Sequence, residues 1–154
     1  MARPGKYHTR RRPRATRPPK PPRAPQPTPA EKDLLRLARE ITGLPLGAAL
    51  EKVAAAWAPG APLPRSVAQA FLRSRGDKTA ALALAWAREQ VRLALEETVA
   101  AGPGRERRRI EAGPDTLAWL LLAACESLAH EPPSAVADRV RAILDLTGHA
   151  ATGG

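Results

Sequence analysis

Apolar residues recur along most of this chain at intervals of three and four, the spacing that gathers them on one side of an α-helix. Leu34, Leu37, Ala38 and Ile41 are the first such set, and Gly43 supplies a stop behind them. Ahead of them, Thr28-Pro29-Ala30-Glu31 has the form of a capping box with proline at the first helical position, so the folded part begins near residue 29. Leu46, Ala49, Leu50, Val53, Ala54 and Trp57 make a second stripe, which ends at Pro59-Gly60. A shorter helix fits between Pro64 and Gly76, with Val67, Ala70, Phe71 and Ser74 on one side.

Asp77 is a fitting N-cap for the longest helix, which runs to about Ala101 before Gly102-Pro103-Gly104 breaks it. Leu82, Trp86 and Leu93 occupy one of its faces, and Leu84, Val91, Leu95 and Val99 lie nearly opposite. That pattern predicts a helix packed on both sides. A fifth helix opens at Gly113-Pro114-Asp115 and carries an unbroken apolar run from Leu117 to Cys125, which predicts cover all round. One chain of this size has little material for that, so a second copy is expected to supply it. Pro132-Pro133 ends this helix. Ser134 then caps a sixth, with Ala137, Val140, Leu144 and Thr147 on its stripe and Gly148 closing it.

Composition agrees with an all-α bundle of about six helices: the 44% hydrophobic fraction is mostly Ala and Leu, and β-branched and aromatic residues are scarce. Charge divides the chain. Of its 25 bases, nine lie in residues 1–30 (Arg3, Lys6, Arg10, Arg11, Arg12, Arg14, Arg17, Lys20, Arg23) with no acid among them, whereas the remaining 16 face 15 acids. Nine of the 17 prolines share that stretch. Residues 1–28 therefore read as a disordered basic arm, 29–148 as the helical domain and 149–154 as a disordered tail. An arm of this kind engages phosphates by charge alone, without reading sequence. Arg105, Arg107, Arg108 and Arg109 form a second basic cluster, in the loop after the longest helix.

Catalytic and metal chemistry find little support. One cysteine allows no internal disulfide, and His8, His130 and His149 are scattered, so neither a metal site nor a cofactor is expected. Cys125 and His130 are too far apart on a helix wheel to act as a pair. No apolar run reaches the roughly 20 residues that span a bilayer, which leads to a cytoplasmic, non-enzymatic reading.

The stretch from Gly113-Pro114-Asp115 through Leu128, together with Ala137-Asp138-Arg139-Val140-Arg141-Ala142-Ile143-Leu144-Asp145-Leu146 closed by Thr147-Gly148, resembles the ligand-binding and dimerisation domain of TetR-family transcriptional regulators. The resemblance covers residues 77–148. It implies that the last two helices form a four-helix bundle with a second copy, through Leu117, Trp119, Leu121, Leu122, Cys125, Leu128, Val140 and Leu144. It also implies an effector pocket among the preceding helices, for which Trp57, Phe71 and Trp86 are the lining candidates, although each also reads as core filling. The family's helix-turn-helix head has no counterpart here, since the basic arm stands in its place. Two readings stay open: a homodimeric regulator-type domain that senses an apolar small molecule and touches nucleic acid through its arm, or an architectural DNA- or RNA-binding protein whose helical body only dimerises.

Overall fold

A computed structural model describes residues 26–101 and 112–148. They form six α-helices, α1 (Pro29–Ile41), α2 (Leu46–Ala56), α3 (Pro62–Arg73), α4 (Lys78–Ala101), α5 (Pro114–Ser127) and α6 (Val136–Leu146), with no strand among the described residues. The nine bases of the arm, the arginine cluster after α4 and the C-terminal tail lie outside the described residues.

Local chemistry sets most helix ends. The Thr28 hydroxyl oxygen accepts from the Glu31 N–H at 3.3 Å and donates to the Glu31 carboxylate at 2.8 Å, which closes the first turn of α1 through side chains. Asp77 accepts from the Ala80 N–H at 3.0 Å and caps α4. Gly43 follows α1 at φ 76° and Gly76 separates α3 from α4 at φ 86°, the left-handed region that residues with a Cβ rarely adopt. Two boundaries differ from expectation. The helix predicted from Pro64 begins at Pro62, because N–H donors of a helix's first turn have no intrahelical acceptor and proline there forfeits no hydrogen bond. Ser134 caps nothing: it sits inside a 3-10 turn over Pro133–Ala135, and α6 starts from Ala135 with no side-chain cap.

Helix α4 runs through the middle of the body, flanked mainly by α1 and α5, with α2 packed on α5 and α6 behind α2. Leu84, Ala87, Val91, Ala94, Leu95 and Val99 of α4 meet Leu34, Leu37, Ala38 and Ile41 of α1 and Leu50 and Val53 of α2 in one core. On α5, the buried positions are Leu117, Ala118, Leu121, Leu122 and Cys125, continued by Leu128.

This core corrects three expectations. Helix α4 is packed on one side only, with Leu82 70% exposed, Trp86 56% and Leu93 43%. Helix α5 is not covered all round, since Trp119 is 52% exposed and Leu120 is also open to solvent. Finally, Leu117, Leu121, Leu122, Cys125, Leu128 and Leu144, assigned to a dimer interface, are already buried by their own chain and present no surface to a second copy. The run from Leu117 to Cys125 needs less cover than its composition suggests, because Ala123 and Ala124 add little apolar area on the uncovered side. Val140 is half-buried, so Trp119 is the most open residue of the expected interface.

Candidate functional site

The body carries an apolar groove of about 480 Å³ where α3 crosses the first half of α4. Its walls follow from the helix stripes. Pro64, Val67, Ala68 and Phe71 recur along α3 at intervals of three and four, and Ala81, Leu84, Ala85 and Arg88 do the same on α4, so each helix turns one narrow edge towards the gap. Leu34 of α1 and Trp57, just past α2, close the inner end. Glu126, Ala129 and His130 border it from the end of α5.

Small residues make the space. Ala68, Ala81, Ala85 and Ala129 stand where larger side chains would meet, and Phe71 leans over the gap while remaining 59% exposed. Trp57, by contrast, is only 6% exposed. Its indole Nε1 is buried and has no hydrogen-bond partner, the only side-chain polar atom in that condition among the described residues. Indole N–H groups usually find an acceptor when buried, so this one sits beside the groove as an unspent donor.

A paired charge marks the border with α5. Arg88 donates through Nε to Glu126 Oε1 at 2.6 Å and through a terminal nitrogen to Oε2 at 2.7 Å, a two-pronged bridge between α4 and α5. The hydrogen bonds to Glu126, aided by the charges of Glu126 and Glu89, hold the guanidinium above its ordinary range against partial loss of hydration. The pair is neutral as a unit, so it frames the groove without giving it a net charge.

Of the three candidate pocket residues, Trp57 and Phe71 line this groove and Trp86 does not. Trp86 lies on the far side of α4 from Leu84 and Arg88, because it stands two positions from each, about 160° around the helix. Arg88 and Glu126 carried no functional reading in the sequence; 38 positions apart, they are brought together only by the packing of α5 on α4. A larger hollow of about 670 Å³ lies between α1 and α4, but Arg39, Gln90, Glu96 and Glu97 share its lining with Leu35 and Leu93. A ligand there would stay largely in water, whereas the α3–α4 groove offers burial.

Cys125 is fully buried in the core, where desolvation first and the charge of Glu126 second push its thiol up to about 12. His130 stands exposed at the groove's edge, and no hydrogen bond joins the two. Among the described residues, no three His, Cys, Asp or Glu side chains cluster as metal ligands, and no helix is long and apolar enough to cross a membrane. Comparison with protein-family models, with curated proteins and with solved structures finds no match to this chain.

Proposed function

We propose that this chain is a non-enzymatic binding domain that takes an apolar or amphipathic small molecule between α3 and α4, and so serves as a sensor module of the regulator type. The groove carries this reading. Its volume lies within the roughly 300–1,000 Å³ usual for small-molecule sites, its walls are alanine, leucine, valine and aromatic, and the polar groups at its border are few. Resemblance to the TetR effector module points the same way.

Ligands that bind the folded state alone raise its stability by mass action, in proportion to the logarithm of their concentration over Kd. A thermal-shift screen of apolar and amphipathic compounds on wild type and on Ala68→Trp tests the proposal. Ala68 is exposed on α3 and lines the groove, so the larger ring fills the space without entering the core. A compound that raises the Tm of wild type and leaves Ala68→Trp unmoved supports the groove. Stabilisation that survives Ala68→Trp refutes it.

A second reading has its own observation in the nine bases and no acids of residues 1–30. Under it, the N-terminal segment binds DNA or RNA phosphates without sequence preference, in the cytoplasm, and the helical body is a platform. Binding to random duplexes that falls with salt at a slope of roughly −0.9 per phosphate engaged, and vanishes when residues 1–28 are removed, would favour it.

A further inference from the structure

The side of α4 turned away from the groove is apolar along most of its length. Leu82, Trp86 and Leu93 form a single stripe there, at 70%, 56% and 43% exposure, with Leu93 also bordering the hollow beside α1. Helix α5 lies beside this stripe. Its Trp119, 52% exposed, shares a small hollow with Arg92 of α4, about 100° round the helix from Leu93, so the second indole stands at the flank of this face rather than on it. We propose that a second copy of this chain docks on this face, with the two α4 helices antiparallel and Trp119 of each copy at the flank.

Area permits a second copy, and charge argues for one. Taking a fully exposed Leu or Trp at roughly 200 Å², these four side chains offer about 450 Å² per copy and about 900 Å² in the pair. To reach the 1,200–2,000 Å² of stable interfaces, the polar flanks of α4 must add about 150 Å² or more per copy. A patch of about 450 Å² is within the roughly 300–600 Å² of the largest patch on an ordinary monomer, so the charges along α4 decide more than the area does.

The charges along α4 are unequal at its two ends. At the start, Lys78 is exposed and in no ion pair among the described residues. Near the other end, Arg92 is shared between Glu89 at 2.7 Å and Glu96 at 2.8 Å, a cluster left with one uncompensated negative charge. Hydrogen bonding to Arg92 holds the Glu89 carboxyl below its ordinary range, which keeps that charge in place at neutral pH.

Leu82 and Leu93 are equidistant from the peptide between Ala87 and Arg88, and Lys78 and Glu96 are equidistant from it to within one residue. A two-fold axis at that point therefore sets each Leu82 against the other copy's Leu93 and each Lys78 beside the other copy's Glu96. Lys78 and Glu96 also lie on the same flank of the stripe, as such an axis requires. A parallel pairing would bring like charges together.

This face is opposite the groove, so the proposal stands independently of what the groove binds. Sedimentation equilibrium of the full chain over a concentration series tests it. The expected result is a dimer for wild type and a monomer with unchanged far-UV circular dichroism for Trp86→Glu. Lys78→Glu and Glu96→Lys should each weaken association several-fold, and the double reversal should restore it.

A wild type that stays monomeric overturns the proposal, as does a dimer that persists in Trp86→Glu. A monomer that co-floats with phosphatidylcholine vesicles through Trp86 overturns it in favour of a lipid surface. Failure of the double reversal to recover what the single reversals lose overturns the antiparallel register.

Discussion

Truncating Leu121 and Trp119 to alanine, two residues apart on α5, separates what the chain buries for itself from what it leaves for a partner. Leu121 is 2% exposed, so Leu121→Ala removes three buried carbons, worth about 2.4 kcal/mol at roughly 0.8 kcal/mol each. The cavity left where the surroundings fail to collapse fully adds to this, and a loss of about 3 kcal/mol falls inside the range for buried leucines. Trp119 keeps half its surface in water. Its truncation should cost the isolated chain about 1 kcal/mol or less, because alanine's better helix propensity returns roughly half of what packing loses. Urea unfolding at two protein concentrations, about a hundredfold apart, reads both effects. The Leu121→Ala loss should be the same at each concentration, and the Trp119→Ala loss should grow at the higher one. A Leu121→Ala loss below about 1 kcal/mol, or one that grows with concentration while that of Trp119→Ala does not, would show that α5 is covered by a second copy through the face assigned here to the core.

Three further outcomes are expected of the same fold. A double-mutant cycle of Arg88→Met and Glu126→Gln should give a coupling of about 1 kcal/mol, reduced by added salt because the pair is only part-buried; a coupling indistinguishable from zero contradicts the two-pronged bridge. The buried Cys125 should react with thiol reagents only as fast as the protein unfolds. Because the folded thiol titrates near 12 against about 9 when exposed, the unfolded chain loses its proton first, so stability should fall as pH rises above about 9, and this slope should be smaller in Cys125→Ala. Thr28→Ala removes the α1 cap and should lower stability by about 1 kcal/mol in equilibrium unfolding, and an unchanged midpoint speaks against the cap seen at Glu31.

The candidate site was partly legible before the fold was known. Trp57 and Phe71 stood out as scarce aromatic residues on helical stripes, and both line the groove. Trp86 stood out for the same reason and lies on the far side of α4, because an aromatic residue's prominence in a sequence carries no information about which neighbour it meets. Arg88 gave no signal, and Glu126 read only as a solvated or ion-paired helix residue with no partner named. Each is an ordinary charged residue on a helix, and their pairing depends on the register of α5 against α4. The alanines that open the groove were equally silent, since the same residue that favours a helix also leaves space beside it.

What the sequence by itself determined is the division of the folded part into six helices and most of their ends. Thr28, Asp77, Gly43, Gly76 and the Pro59-Gly60 and Gly113-Pro114 pairs act through hydrogen bonds and backbone angles within a turn of where they stand, so their effects survive without knowledge of the rest. Only the tertiary structure decided which side of α4 and α5 faces inward. Both helices carry apolar residues on more than one face, and burying either face would satisfy the local pattern about equally well. The choice falls to α1 and α2, whose stripes pair with Leu84, Val91, Leu95 and Leu121, and this leaves Leu82, Trp86 and Trp119 outside. Burial is a property of the assembled neighbours rather than of any single helix, which is why the face expected to meet a second copy became the core, and a face expected to be covered became the surface.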